Sequence, residues 1–213
     1  MDEIDSKQFI QLLLYLSDVF ERKKDYLTEL DSAIGDGDLG ISMTLGFRAI
    51  DNLSKEIANQ AIPYILKQCG LAFSNNAPST IGALFATGFL RAGSALEGTT
   101  EIGCPEIIQG VEAAIDGIQQ RGKAALGDKT LLDAIIPALE AAKNQETRDI
   151  SILLRIIAEA SDLGAQSTKD MKSARGRSRW LQERSIGHLD PGAVVVAIIF
   201  KSCSEWVDQK TKS

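Results

Sequence analysis

Residues 6–20 read SKQFIQLLLYLSDVF, a segment in which apolar side chains return every three or four positions. The apolar positions are Phe9, Ile10, Leu13, Leu14, Leu16 and Phe20. This spacing is that of one face of an α-helix, so it predicts a helix over about 6–26. The same periodicity predicts seven further helices, at about 41–55, 60–75, 81–96, 104–121, 130–144, 149–172 and 190–208. No convincing two-residue alternation lies between them, and the sequence therefore predicts an all-α protein.

The composition favours packed helices in one domain. Of the 213 residues, 44% are hydrophobic, which is enough for one sizeable core, and only 6% are aromatic. Ala, Leu and Ile supply most of the apolar mass, a balance that favours helices over sheets. Most loops between the predicted helices are short, so neighbouring helices must run in opposite directions. We expect residues 1–213 to form a single domain, a barrel or bundle of about eight antiparallel amphipathic helices.

Charge, hydropathy and cysteine content argue against several classes of function. The formal net charge is −6, whereas nucleic-acid-binding proteins usually carry a basic surface, so we expect no nucleic-acid partner. The longest apolar stretch, residues 193–200, is too short to span a bilayer, and no membrane association is expected. Three widely spaced cysteines suit free thiols in a reducing compartment, and a cytoplasmic location is expected.

An acidic, glycine-rich segment separates the first two predicted helices. Residues 30–40 read LDSAIGDGDLG and place Asp31, Asp36 and Asp38 within eight residues. Three carboxylates aimed at one point repel one another, so a cation is needed to compensate, and Mg²⁺ prefers carboxylates together with phosphate oxygens. The alternative is a solvated turn in which Asp38 caps the helix that starts near Ile41. These three aspartates, called the acidic cluster below, are the candidate metal ligands.

A basic loop precedes the last predicted helix. Residues 173–189, called the arginine loop below, contain four arginines within ten residues: Arg175, Arg177, Arg179 and Arg184. Arginine pairs well with phosphate oxygens, although such a run can equally form a solvated surface. The loop leads into residues 190–192, Asp-Pro-Gly, which predict a helix start with Asp190 as N-cap. Free N–H groups at such a start are suited to binding phosphate.

Two other predicted helices start with polar residues. Ser79 and Thr80 open the fourth helix, where their hydroxyl groups either cap the helix or contact phosphate. Residues 127–130 read GDKT and open the sixth helix, without a Walker motif before them. The only histidine, His188, belongs to no readable Ser/His/Asp or Cys/His arrangement, so acyl transfer and zinc-dependent hydrolysis are poorly supported.

Taken together, these motifs resemble those of one protein family. The family comprises the ADP-binding L subunits of dihydroxyacetone kinases and the matching C-terminal domain of the ATP-dependent ones. The motifs that carry the resemblance are LDSAIGDGDLG at 30–40, GDKTLLD at 127–133, Gly176-Arg177, and ERSIGHLDPGA at 183–193. Each motif alone is modest, but the four occur in family order over nearly the whole chain, which makes the resemblance highly specific.

The resemblance implies a barrel of eight antiparallel helices with a nucleotide bound at one end. It implies that Asp31, Asp36 and Asp38 hold two Mg²⁺ ions, which bridge the phosphates of ADP or ATP. No nucleophile is implied in this chain, because Mg-ADP acts as a coenzyme. The implied surroundings of the nucleotide are Leu39, Gly40, Ile41, Ser42, Ser79, Thr80, Ile81, Gly122, Leu131, Arg177, Asp190, Pro191 and Gly192.

The resemblance also implies partners and a reaction. A K subunit would hold dihydroxyacetone, and a subunit bearing a phosphohistidine would recharge the bound ADP in a phosphotransferase-linked, PEP-dependent system. The present chain would relay the phosphoryl group, as a homodimer or in complex with the K subunit. Two alternatives stay open: an ATP-dependent subunit acting on a related triose or tetrose ketose, and a non-catalytic nucleotide-binding regulator.

Two places depart from the family pattern. Leu39 stands where many relatives carry histidine, and residues 79–82, Ser-Thr-Ile-Gly, stand where many carry Gly-Ala-Ser-Gly. Both lie at the expected phosphate end of the nucleotide. They leave the metal ligands intact, and they leave open which phosphoryl donor and which sugar are used.

Overall fold

The computed structural model describes residues 1–211, and within that range the chain forms eight α-helices. Their bounds are Ser6–Ser32 (α1), Leu39–Ile57 (α2), Ile62–Asn76 (α3), Thr80–Ala95 (α4), Cys104–Gly122 (α5), Leu132–Lys143 (α6), Ile150–Ser167 (α7) and Pro191–Thr211 (α8). Two 3-10 helices, Thr168–Asp170 and Arg177–Ser185, lie between α7 and α8. The only β-structure in the described range is an isolated antiparallel bridge between Ile4 and Ile102. The predicted all-α fold with eight helices is confirmed.

The helices form a closed, antiparallel barrel. Each helix packs against the next along the chain, and α8 packs back against α1, so the ring closes. The N-terminal ends of α1, α5 and α7 meet at one end, where Ile4 is bridged to Ile102 and the N–H of Ile150 donates to the carbonyl oxygen of Met1. The N-terminal ends of α2, α4, α6 and α8 meet at the opposite end, around a single pocket.

The apolar faces of the helices point into the barrel. Buried side chains from all eight helices join one hydrophobic core, and residues of this core line an apolar pocket of about 250 Å³. The rings of Phe20 and Phe47 stack with centroids 4.6 Å apart, and Phe73 meets Phe47 edge-on at 5.3 Å. Such ring pairs contribute about 1 kcal/mol each beyond their buried area. None of the helices described over residues 1–211 combines the length and apolar character that a membrane span requires.

The ends of α1 and α7 differ from the predicted helix boundaries. α1 continues to Ser32, past its predicted end, because Leu27 is fully buried and prolongs the apolar face. Asp31 therefore lies in the last turn of α1 rather than in the following loop. α7 ends at Ser167, earlier than predicted, and the chain continues in a 3-10 helix toward the arginine loop.

Gly40 allows α1 and α2 to approach closely. A Cβ atom at this position would overlap the carbonyl oxygen of Lys24 and the hydroxyl group of Thr28, both on α1. We expect Gly40→Ala to push the two helices apart and to destabilise the fold by about 3 kcal/mol. In a chain of this size, that loss lowers the melting temperature by roughly 6–12 °C, which differential scanning calorimetry measures.

Gly88→Ala is the matched control for this substitution. Gly88 also lies inside a helix, but its added Cβ would stand 3.4 Å from Cδ1 of Ile118, an ordinary van der Waals distance. This variant should melt at or above the wild-type temperature, because alanine favours a helix over glycine by up to about 1 kcal/mol. Equal losses in the two variants would contradict the close-approach explanation.

Candidate functional site

One pocket gathers most of the residues that the sequence predicts for a ligand site. Its volume is about 310 Å³, at the small end of the range for ligand-binding pockets. Its walls come from the end of α1, the turn before α2, the arginine loop and the starts of α4, α6 and α8. The predicted residues that line it are Asp31, Asp36, Asp38, Leu39, Thr80, Ile81, Leu131, Arg177, Asp190, Pro191 and Gly192.

Three predicted contact residues in the first turn of α2 lie outside this lining. Gly40 is buried against α1, and Ser42 is buried with its N–H donating to the carbonyl oxygen of Asp38 at 2.9 Å. Ile41 projects outward, with its side chain 45% exposed. Their assignment to nucleotide binding stays a prediction, and the structure gives Gly40 and Ser42 a clear role in packing α2.

Ser79 and Gly122 also lie outside the lining. The hydroxyl oxygen of Ser79 accepts a hydrogen bond from the N–H of Gly82 at 3.1 Å. Ser79 therefore caps α4, which is the first of the two roles that the sequence allows for its hydroxyl group. Gly122 ends α5 at the surface, where an added Cβ would stand 3.6 Å from Leu84, a lining residue. Gly122 therefore lies next to a lining residue, and its role in binding stays a prediction.

The pocket also contains residues that were not selected from the sequence. They are Ile34, Gly35, Leu84, Lys129, Thr130, Arg175, Gly176 and Ser178. All except Leu84 lie inside the glycine-rich, GDKT or arginine-rich segments, so the sequence predicts their segments but not these individual residues. Leu84 lies three and four positions after Ile81 and Thr80, on the same helix face, and that spacing could have indicated it.

The acidic cluster forms at the junction of α1 and α2. One carboxylate oxygen from each of Asp31, Asp36 and Asp38 lies within 4.8 Å of the others. Asp31 Oδ2 accepts a hydrogen bond from the N–H of Leu39 at 3.3 Å, while Asp38, at the N-cap position of α2, makes no side-chain capping bond. The interpretation of Asp38 as a helix cap is therefore wrong, and its carboxylate is left to the cluster.

The charges of the cluster are only partly compensated. Burial raises the pKa of Asp31, and the carboxylates of Asp36 and Asp38 raise it further. Burial and then Asp36 raise the pKa of Asp38. The guanidinium group of Arg177 pairs with Asp36, and its Nη2 lies 4.0 Å from Asp38 Oδ2. One arginine beside three carboxylates leaves negative charge in excess, and closely spaced carboxylate oxygens are the donor set that fits a hard divalent cation.

Four helix N-termini border the same pocket. Leu39 and Thr80 begin α2 and α4, Leu131 directly precedes α6, and Pro191 begins α8. Each helix start carries unpaired N–H groups and the equivalent of about half a positive charge. Backbone groups of this kind are suited to phosphate, and closely spaced carboxylates such as those of the acidic cluster are suited to divalent cations. The pocket is therefore suited to an anionic ligand that carries divalent cations.

Asp190 is a buried acid at the start of α8. Its Oδ2 accepts a hydrogen bond from the N–H of Ala193 at 2.8 Å, so the predicted N-cap is confirmed. Its own N–H donates to the hydroxyl oxygen of Thr168 at 2.8 Å. Burial raises the pKa of Asp190 to about 7, and the nearby carboxylate of Asp133 contributes in the same direction.

Stability should depend on pH through Asp190. Its folded-state pKa lies above the unfolded value of about 3.9, so between about pH 4 and pH 7 the folded protein binds more protons than the unfolded chain. The contribution of Asp190 to stability therefore falls as pH rises through this window and is level above it. Asp190→Asn keeps an acceptor for the N–H of Ala193 and removes the charge.

The free energy of unfolding of Asp190→Asn, measured relative to that of the wild type, should therefore increase between pH 4 and pH 8 by up to about 4 kcal/mol. Chemical denaturation of both proteins at each pH measures this difference, and metal-free buffer keeps ligand binding out of the comparison. Parallel stability profiles for the two proteins would contradict the assignment.

Comparisons of the sequence with known proteins give one family. A family model described as DAK2 domain matches residues 33–205. The PEP-dependent dihydroxyacetone kinase, ADP-binding subunit DhaL, of Escherichia coli (strain K12) is 35% identical over 196 residues, which cover 91% of this chain and 93% of that protein. The corresponding subunit of PEP-dependent dihydroxyacetone kinase 2 of Listeria innocua serovar 6a is 36% identical over 193 residues, 89% of each chain.

The fold also matches a solved structure, that of the dihydroxyacetone kinase from C. freundii in complex with AMP-PNP and Mg²⁺. The TM-score is 0.74 at 23% sequence identity, and the match covers 92% of this chain and 33% of that chain. At this level of identity the likeness concerns the fold alone. Because the DAK2 model spans most of the sequence, and because relatives above 30% identity match along nearly their full length, the chain belongs to the DAK2 domain family.

Proposed function

We propose that this chain is the ADP-binding, nucleotide-carrying subunit of a dihydroxyacetone kinase. The observation that carries the proposal is the composition of one pocket, in which the acidic cluster, Arg177 and four helix N-termini lie together. A nucleoside diphosphate with bound metal ions presents the matching charges. The family and the names of its relatives support a kinase, and hence a phosphotransferase.

Asp31, Asp36 and Asp38 would hold two Mg²⁺ ions in this proposal. The mutual distances of the three carboxylates suit cation binding, and the raised pKa values of Asp31 and Asp38 reflect burial and the crowding of negative charge that a cation would relieve. When bound, the ions would supply positive charge against the phosphate oxygens during phosphoryl transfer. The backbone N–H groups at the starts of α2, α4 and α8 would orient the phosphates, with Arg177 at the open side. Phosphoryl transfer depends on such positioning and charge compensation more than on a protein nucleophile.

We propose further that the sugar and the phosphoryl donor are held by other chains. The chain matches nearly the full length of separate ADP-binding subunits but only a third of the longer kinase. A K subunit would therefore present dihydroxyacetone, and a phosphohistidine-bearing subunit of a PEP-dependent system would recharge the ADP. The nucleotide would then stay bound as a coenzyme through many turnovers.

The ligand content of the purified protein tests this proposal. Native mass spectrometry in magnesium-containing ammonium acetate should show ADP and Mg²⁺ retained after gel filtration. Phosphoryl transfer to dihydroxyacetone should then appear on addition of K and donor subunits from a PEP-dependent system, and ATP alone should not replace the donor. Transfer driven by ATP, with nucleotide that washes out, would support the ATP-dependent alternative. Loss of transfer with every donor, despite bound ADP, would support the regulator.

A further inference from the structure

Lys129 is a buried lysine whose ammonium group is surrounded by backbone carbonyl groups. The residue is 1% exposed. Its Nζ donates to the carbonyl oxygens of Thr168 at 2.8 Å, Met171 at 3.1 Å, Ser185 at 2.7 Å and His188 at 2.6 Å. An ammonium group has three protons, so four acceptors leave none of these protons without a hydrogen bond. Burying a charge is costly unless it is hydrogen-bonded in this way.

The four acceptors lie at the two ends of the arginine loop. Thr168 and Met171 precede the loop, and Ser185 and His188 belong to its last five residues. Arg177 lies between these two pairs, and its side chain reaches the acidic cluster. The ammonium group of Lys129 is therefore hydrogen-bonded both to the segment that enters the loop and to the segment that leaves it.

Other hydrogen bonds join the same two segments of chain: two are neutral, and a third, from Nζ of Lys172 to Oε1 of Glu183 at 2.9 Å, is an ion pair between exposed side chains, which contributes little. The N–H of Ser173 donates to the hydroxyl oxygen of Ser185 at 2.9 Å, and the N–H of Gly187 donates to the carbonyl oxygen of Lys169 at 2.8 Å. Both are neutral, whereas bonds from an ammonium group are charge-assisted and roughly twice as strong. Lys129 also has φ of 59°, a conformation that few residues other than glycine adopt.

A direct contact between Lys129 and phosphate is the obvious alternative role. Lysines in phosphate sites commonly present the ammonium group to the ligand. Lys129 is among the residues that line the pocket, but its ammonium group is already occupied by four carbonyl oxygens and the residue is almost fully buried. Arg177 is different, because 58% of its side chain is exposed in the pocket.

We propose that Lys129 is a positioning residue, which fastens both ends of the arginine loop and thereby holds Arg177 beside the acidic cluster. The inference rests on the proposed nucleotide site. Lys129 acts through Arg177 and contacts neither the metal ions nor the nucleotide. Its removal should therefore loosen the loop and weaken binding only to the extent that Arg177 contributes to binding.

The loop can be observed directly, without any ligand. The chain has two tryptophans: Trp180 lies in the arginine loop and is 75% exposed, while Trp206 is 4% exposed in α8. In a Trp206→Phe background, the fluorescence anisotropy of Trp180 reports the mobility of the loop. We expect it to fall in Lys129→Met. Lys123→Met is the matched control, because Lys123 also has positive φ, 50°, but is exposed, and its substitution should leave the anisotropy unchanged.

A double-mutant cycle tests whether Lys129 acts through Arg177. Calorimetric titration with Mg-ADP should show about tenfold weaker binding in Lys129→Met than in the wild type. In an Arg177→Ala background the same substitution should change the dissociation constant by less than about threefold, because the group that Lys129 positions is already gone. Circular dichroism monitors the helical fold. If Lys129→Met does not fold, Lys129→Arg replaces it, since a planar guanidinium keeps the charge but not the four bonds.

The outcomes separate this proposal from the proposed function. Equal losses of Mg-ADP affinity in the two backgrounds, or an unchanged Trp180 anisotropy in a folded variant, would overturn the positioning role. Failure of the wild-type protein to bind Mg-ADP would overturn the nucleotide site itself. In that case the anisotropy still decides whether Lys129 holds the loop.

Discussion

Asp31→Asn is expected to weaken Mg-ADP binding on the order of 100-fold while raising the melting temperature of the metal-free protein. Asp31 lies in the last turn of α1, and its Oδ2 accepts a hydrogen bond from the N–H of Leu39. The asparagine amide oxygen can keep this bond, so the local backbone should hold. The substitution removes one of three mutually repelling charges, and that charge is needed only when cations are bound.

The two effects have opposite signs, which makes the prediction sharp. Burial and the neighbouring carboxylates raise the pKa of Asp31, so its ionised form costs the folded protein stability at neutral pH. Neutralisation should therefore raise the melting temperature in EDTA by roughly 1–3 °C, as for a gain below 1 kcal/mol. Calorimetry with Mg-ADP and thermal denaturation in EDTA give the two numbers.

Two variants control this experiment. Asp36→Asn should also abolish nucleotide retention and leave the helical fold intact, but without a comparable gain in stability, because Asp36 is paired with Arg177. Asp25→Asn removes an exposed charge from the same helix as Asp31 and should change neither quantity. Unchanged ADP and Mg²⁺ content in both Asp31→Asn and Asp36→Asn would refute the metal assignment.

Asp133→Ala should be the most destabilising loss of a polar side chain near the pocket. Asp133 is 1% exposed, and its two carboxylate oxygens accept hydrogen bonds from the N–H groups of Gly127 at 2.5 Å and Thr130 at 2.7 Å. Alanine leaves both donors without this acceptor. A hydrogen bond to a charged group contributes about 1.5–3 kcal/mol, so we expect a loss of about 3–5 kcal/mol and a melting temperature lower by at least roughly 6 °C.

The asparagine variant tests whether the two bonds act separately. Asp133→Asn keeps one acceptor oxygen and should lose about half as much stability as Asp133→Ala. Asp116→Ala removes an exposed aspartate from α5 and should stay within about 0.5 kcal/mol of the wild type. If Asp133→Ala unfolds no more easily than Asp116→Ala in urea, the turn over residues 127–130 is held by other contacts.

The periodicity of apolar residues was enough to predict the fold. Eight helices follow from it because each helix buries one face in a single core, so the same pattern recurs from Phe20 in α1 to Val195 in α8. Helix ends were less predictable, because they depend on tertiary contacts. Leu27 follows Phe20 by seven residues, on the same helix face, but only its burial against the other helices decides that α1 continues and carries Asp31 into it.

The sequence predicts which motifs form the candidate site, but it does not predict the structural role of each residue within them. Asp31, Thr80, Leu131 and Asp190 meet in one pocket, as the resemblance implied. Gly40 lies in the same motif as Asp31 but serves helix packing, because the backbone of α1 lies directly against it. Only the structure shows this contact. The role of Lys129 depends on acceptors from distant parts of the chain, and a pattern within GDKT cannot reveal them.

The alternating direction of the helices constrains how this domain can be joined to another. The last turn of α1 and the first turn of α8 border the pocket, so the start of α1 and the end of α8 lie at the far end of the barrel. α1 has 27 residues and is therefore about 40 Å long. α8 has 21 residues and is about 30 Å long. A protein fused before α1 or after α8 therefore begins about 30–40 Å from the acidic cluster, and a linker of roughly nine to twelve extended residues is needed before the fused domain can reach it.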